Sequence, residues 1–249
     1  MNEHPIIFSS EMVRAILDGR KTQTRRIIKP QPEVCPIETR PPAYPESILW
    51  HVSKDGGIYG GLLTHEEFTK YCLYGQVGDR LRLKEDYKYI IQGDLVITYY
   101  KYSYKKDRVE YTPLSYLDKK TRRKLIKGRK NVWKSKLLMF KFMARIWLEI
   151  TNIRVERVQD ISEEDCIAEG IELIYGKRNL SPFSGYKDYS GLVEVCGAMA
   201  SFHTLWDSLN AKRGYAWDKN PWVWVIEFRK AKDGKDGQGQ SIRRYDALH

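Results

Sequence analysis

The chain has 249 residues, 42% of them apolar and 12% aromatic, with a formal net charge of +11. That length is enough to bury a sizeable core, as one large domain or one domain with insertions. No apolar run approaches a membrane span and the N-terminus lacks a signal-peptide pattern, so no membrane-spanning helix is expected and a cytoplasmic protein is the default expectation.

In chain order, "PIIFS" reads as a short strand. "SSEMVRAILDG" follows as a helix, with Ser9 or Ser10 as N-cap, Met12, Val13, Ile16 and Leu17 at helical spacing, and Gly19 placed to end it. The loop that leaves this helix, "DGRKTQTRRIIKP", holds Arg20, Lys21, Arg25, Arg26 and Lys29, with Thr22 and Thr24 between them. From Pro30 to Pro45 the chain is proline-rich without periodicity and predicts an irregular excursion. "GQVGDRLRLKEDY" predicts a Gly-Asp turn at Gly78 and Asp79 and a strand through Leu81 and Leu83. Residues 94–104, rich in β-branched and aromatic side chains, predict another strand.

The charge is concentrated. Residues 119–136, "KKTRRKLIKGRKNVWKSK", contain ten Lys and Arg and no acid, which leaves only +1 for the rest of the chain. Such a stripe with an embedded Trp133 suits a polyanion, and Arg122, Arg123 and Lys124 are its candidate phosphate contacts. A solvated face is the competing use.

Residues 144–158 alternate Ile146, Leu148 and Ile150, then resume with Ile153 and Val155 after a change of phase, as one bulged strand or two strands would. "DISEEDCIAEG" predicts a short helix with Ser162 as N-cap, an acidic first turn and Gly170 after its end. Residues 171–198 show little pattern. "MASFHTLWDSLNAKRG" has a helical period through Phe202, Leu205, Trp206 and Leu209. "NPWVWVIEF" is apolar on both faces and predicts a central strand. From Lys230 the tail is polar and Gly-rich, a composition that favours disorder.

Cys35, Cys72, Cys166 and Cys196 are scattered, with no CxxC, and the five His show no metal-ligand spacing. Neither a metal, a disulfide framework nor an organic cofactor is expected. The pattern as a whole predicts an α+β protein with a small β-barrel flanked by helices.

Gly19, Lys21, Thr24 and Arg26 match the G-x-K-x-x-T-x-R signature of ASCH domains, and here the chain resembles that family. "PIIFSSEMVRAILDGRKTQTRRIIKPQP", "GDRLRLKEDY", "RVERVQDISEEDCIAEGI" and "LWDSLNAKRGYAWDKNPWVWVIEF" are similar to the longer ASCH proteins of bacteriophages and prophages. These blocks cover about a third of the chain. It implies a PUA-like mixed β-barrel over residues 1–229, with insertions at about 30–75, 105–142 and 171–198. It also implies a role on RNA, DNA or a modified nucleoside. Compact members include amidohydrolases that remove the acetyl group of N4-acetylcytidine with a Lys, a Thr and a Glu. Carried over by motif, these are Lys21, Thr24 and, in "LRLKEDY", Glu85.

Amide hydrolysis needs a nucleophile, a proton donor for the leaving amine and positive charge for the oxyanion. Thr24 offers the hydroxyl. Lys21 becomes a base only if neighbouring arginines and desolvation depress its pKa. Arg26 is suited to the oxyanion or a phosphate. In the alternative, Lys21, Arg25 and Arg26 hold a backbone phosphate without catalysis, with Thr24 as a further hydroxyl contact and Glu85 pairing one of the arginines. A nuclease is a third option. Arg20, Arg25, Arg26 and Lys29 are the loop's candidate nucleic-acid contacts. Trp217, in the loop "GYAWDKNP", is a candidate for the rim of the pocket, while Trp206 and Trp224 read as core. The oligomeric state is not legible.

Overall fold

The structure, a computed structural model, describes residues 1–32, 48–53, 58–101, 109–174, 185–191, 194–195 and 197–231. The proline-rich excursion beyond residue 32, the end of the Tyr-rich strand after 101, Cys35, Cys196, part of the 171–198 insertion and the tail from 232 lie outside the described residues.

In chain order the elements are β1 (Glu3–Ile7), α1 (Ser10–Leu17), β2 (Gln23–Ile27), β3 (Ile48–Ser53), β4 (Ile58–Leu63), α2 (His65–Thr69), β5 (Arg80–Lys84), β6 (Tyr87–Gln92), β7 (Leu95–Tyr100) and β8 (Val109–Pro113). There follow α3 (Lys119–Lys127), β9 (Trp147–Arg157), α4 (Glu163–Ala168), β10 (Leu173–Ile174), β11 (Gly185–Lys187), β12 (Glu194–Val195), α5 (Ala198–Asn210) and β13 (Trp222–Lys230). Helices and sheets are mixed, so the protein is α+β.

The chain forms two compact units. Unit one is built from Met1–Arg14, Asp79–Glu149 and the segment from Arg229; unit two is built from Ala15–Gly78 and Ile150–Phe228.

In unit one, β1 runs parallel to β5, from Glu3 opposite Arg80 to Ile7 opposite Lys84. The start of β9 is antiparallel to β5, with Leu148 opposite Leu81. A second sheet is the antiparallel meander β6-β7-β8. Alternation along β6 turns Tyr87 and Tyr89 inward. They join Val96, Tyr100, Leu114, Leu125, Met139, Met143 and Trp147 in one core. A buried tyrosine needs a partner for its hydroxyl. Tyr87 donates to the Leu138 carbonyl at 2.9 Å, Tyr89 to Leu125 at 3.0 Å and Tyr100 to Met143 at 2.7 Å. These bonds fasten the basic segment and its sequel to the sheet. The segment itself forms α3, capped by Asp118, whose carboxylate accepts from the Thr121 N–H at 2.9 Å.

In unit two, β13 lies between β9 and β2. It is antiparallel to β2, from Val223 opposite Ile27 to Glu227 opposite Gln23. Val223, Trp224, Val225 and Ile226 are all buried, as a central strand with two apolar faces requires. β9 is a single strand, and its change of phase falls at Thr151 and Asn152, which are both exposed. Phe68 of α2 stacks on Trp224 at 4.7 Å. α5 buries Phe202, Leu205 and Trp206, whereas Leu209, inward by period, is exposed. β3-β4 is an antiparallel pair and β10-β11-β12 a small antiparallel sheet.

Candidate functional site

The loop after α1 is held by its backbone before any side chain acts. Gly19 has φ of 78°, which turns the chain out of the helix. The N–H groups of Arg20 and Lys21 both donate to the Ala15 carbonyl, at 2.9 and 3.1 Å. Thr22 N–H donates to the Ala168 carbonyl at 2.9 Å, and the Thr22 carbonyl accepts from Phe228 N–H at 2.8 Å. Lys21 is thereby fixed against the end of α4.

The Lys21 ammonium donates to the backbone carbonyl of Glu169 and to its carboxylate Oε2, each at 2.7 Å. Only 2% of the Lys21 side chain and 5% of the Glu169 side chain are exposed. Burial drives the Lys21 pKa below the ordinary lysine range; Glu169 opposes the shift, and the charges of Arg26 and Arg25 reinforce it. Gly170 makes the approach possible. Its φ is +86°, and a Cβ there would stand 2.8 Å from the Lys21 Cβ and 2.9 Å from the Ala15 Cβ.

Arg25 is still more enclosed. Its Nη2 donates to Glu156 at 2.9 Å and Asp165 at 2.7 Å, and its Nη1 lies 3.5 Å from the Glu169 carboxylate. Arg154 bonds Glu156, Asp165 and Glu227. Gln23 donates to the Asp165 carbonyl at 2.9 Å. Lys21, Arg25 and Arg154 thus share four carboxylates in unit two: Glu156, Asp165, Glu169 and Glu227. Burial raises the Asp165 pKa, but Arg25 and Arg154 outweigh it and hold that carboxyl below its usual range.

Strand alternation sets Thr24 and Arg26 on the face of β2 opposite Gln23 and Arg25. Thr24 is buried, opposite Ile226. The Arg26 guanidinium lies 5.9 Å from the Tyr74 ring. Burial lowers its pKa and Arg213 adds to the effect, while Tyr74 and Glu169 oppose it. Arg20 bonds Asp18 at 3.2 Å and the carbonyls of Gly170 and Ile171 at 3.3 and 3.4 Å. Lys29 is exposed, with its ammonium 5.0 Å from the Tyr215 ring.

The structure therefore brings Lys21, Arg25 and Arg26 into one electrostatic cluster in unit two, with Thr24 on the same strand. Glu85 belongs to unit one, where Arg145 binds it through Nε at 2.8 Å and Nη2 at 2.9 Å and lies 4.2 Å from the Tyr100 ring. Burial disfavours the Arg145 charge, but Glu85 outweighs that and raises its pKa. Arg122 donates to the Leu114 and Leu117 carbonyls at 3.0 and 3.4 Å, whereas Arg123 and Lys124 are exposed. Trp217 packs edge-on against Phe202 at 6.1 Å and stacks on His203 at 5.0 Å. The Trp217 backbone N–H donates to the Asp207 carboxylate at 2.7 Å.

Sequence reasoning missed Glu169, Asp165, Glu156, Arg154 and Glu227. Two signals were available: Glu169 directly precedes a helix-ending glycine, and Arg154 and Glu156 alternate with the apolar Ile153 and Val155 on one strand. Burial pushes the Cys72 thiol up to about 11 and the Cys166 thiol up to about 12, which makes both poor nucleophiles. Among the described residues no three His, Cys, Asp or Glu are grouped to hold a metal, and no helix is long and apolar enough to cross a membrane.

Comparison of the chain with family models, with curated proteins and with solved structures finds no match.

Proposed function

We propose that unit two carries an ASCH-type hydrolytic site on a PUA-like fold. Its activity is that of an amidohydrolase that removes an acyl group from N4-acetylcytidine or a similarly modified base, through Lys21, Thr24 and, as the carboxylate, Glu169. The observation that carries this reading is the buried Lys21–Glu169 pair. A lysine that grips phosphate presents its ammonium to that anion, whereas the Lys21 ammonium is turned to the carbonyl and carboxylate of Glu169. Lys21 has a pKa lowered by burial and a carboxylate in contact, so a proton can move within the pair.

The chemistry follows from those groups. Thr24 Oγ adds to the amide carbonyl carbon, and its proton passes to the Lys21–Glu169 pair. Collapse of the adduct breaks the C–N bond, and the pair returns the proton to the leaving nitrogen. Water then cleaves the acyl-threonine ester to release the carboxylic acid. Arg26, on the same face of β2 as Thr24, supplies positive charge for the oxyanion. The occupation of Arg25 by three carboxylates supports this reading over one in which the whole cluster grips phosphate.

The test is turnover of N4-acetylcytidine, free and within oligonucleotides, followed by chromatography of released cytidine and acetate. Thr24→Val keeps the shape of the side chain and removes its hydroxyl. It is expected to lower the rate at least about a hundredfold, and Lys21→Ala to do likewise. Absence of turnover by the wild type on either substrate, or full activity of Thr24→Val, overturns the proposal.

A further inference from the structure

The basic segment of unit one is a rigid platform rather than a loose arm. Tyr89 clamps the end of α3 through the Leu125 carbonyl, and Leu125 is fully buried beneath it. Gly128 fits there because a Cβ would stand 2.5 Å from the Tyr89 hydroxyl. The chain then turns at Asn131, with φ of 55°, and runs beside β6. Asn131 N–H donates to the Tyr89 carbonyl at 2.8 Å, and Lys134 N–H to the Tyr87 carbonyl at 2.7 Å. Between these two anchors stands Trp133, 50% exposed.

One cation lies over that ring, and others are exposed along the same segment. The Lys88 ammonium is 5.6 Å from the Trp133 ring and 5.0 Å from the Tyr99 ring, and it bonds the Asn131 side chain at 3.2 Å. Lys119, Lys120, Arg123, Lys124, Lys127, Arg129 and Lys130 are all exposed, and residues 119–136 contain no acid. Within this segment, the apolar Ile126 and Val132 are also exposed.

We propose that this face of unit one, α3 together with residues 128–134, is a docking surface for single-stranded nucleic acid, with an unpaired base stacked on Trp133 and the exposed cations on successive phosphates. Charge complementarity selects a polyanion. The half-exposed indole held between backbone anchors selects a strand with unpaired bases, because a duplex keeps its π-faces stacked internally. The surface is made of residues other than those of the Lys21 site and is read by binding rather than turnover, so either proposal can fail without the other.

The experiment measures fluorescence anisotropy of a labelled oligo(dT) of about 20 nucleotides, long enough for one site, with the full chain. A duplex of equal length and phosphatidylserine vesicles serve as competitors. The single strand is expected to bind more tightly than the duplex, and anionic vesicles to compete poorly. Trp133→Ala should weaken binding about tenfold, and Trp133→Phe by less. About four phosphate contacts would weaken wild-type binding on the order of fifty-fold between about 50 and 200 mM salt, with a slope that flattens in an Arg123→Gln, Lys124→Gln, Lys127→Gln variant. These side chains are exposed, and an unchanged melting curve confirms that each variant is folded. Equal or tighter duplex binding, indifference to Trp133→Ala, preference for vesicles, or no binding at low salt overturns the proposal.

Discussion

Lys21 and Glu169 illustrate what a buried charge demands of its surroundings. Removing one member of such a pair leaves the other desolvated and uncompensated, which costs about 3–5 kcal/mol; removing both is far less costly. Lys21→Met leaves the Glu169 carboxylate facing Arg25 at 3.5 Å and the space where the ammonium stood. Glu169→Gln leaves the Lys21 ammonium with a carbonyl but no carboxylate. Urea denaturation at neutral pH should show Lys21→Met destabilised by about 3 kcal/mol. The Lys21→Met/Glu169→Gln double variant should be more stable than the sum of the single losses by at least about 1 kcal/mol. Strict additivity would show that the two side chains do not form one energetic unit. Arg25 differs from Lys21 in this respect, because three carboxylates neutralise it and losing any one leaves two.

At the scale of elements, the junction between α4 and the Lys21 loop depends on one backbone conformation. Gly170 combines a left-handed φ of +86° with no room for a Cβ against Lys21 and Ala15. Gly170→Ala therefore meets both a backbone penalty and a steric one, and should cost more than about 1 kcal/mol. Because the clash falls on the Lys21 stem, turnover should fall further than stability alone accounts for; a variant with wild-type melting and wild-type rate would refute this. Such junctions also explain which parts of the fold were legible. Ser162 at the start of α4 accepts from the Asp165 N–H at 3.1 Å, as its spacing predicts, because an N-cap is a local matter of three residues. The two-faced apolar run of β13 likewise announces a central strand. The partner of Lys21 was not legible, because Glu169 lies 148 residues away and only the folded chain brings it close. Nor was the seating of Glu85 on Arg145, 60 residues on, since pairing of unlike charges across a fold leaves no periodic trace. The block of charge at 119–136 was visible, but its conversion into a fixed α3 rests on Tyr89 and Leu125, which composition does not disclose.

For the molecule as a whole, the two kinds of charge are divided between the units. Ten of the +11 net charges belong to residues 119–136 in unit one, whereas the cations around Lys21 in unit two are met by carboxylates. Salt acts on these differently. Exposed cations that bind phosphate lose affinity steeply as counterion release weakens, while buried pairs are screened little. If the Lys21 site hydrolyses the amide and the α3 face holds the strand, salt should separate the two functions in one protein. Raising salt from about 50 to 200 mM should change kcat/KM on the free, uncharged nucleoside by less than about twofold. On an acetylated single-stranded oligonucleotide, kcat/KM should fall about tenfold or more, with the loss carried by KM while kcat holds. The Arg123→Gln, Lys124→Gln, Lys127→Gln variant should lose that salt response on the oligonucleotide and keep the wild-type rate on the nucleoside. Equal salt sensitivity on both substrates would mean that the basic face does not recruit the substrate, since the acyl-bearing base presents the same amide to Thr24 in either form.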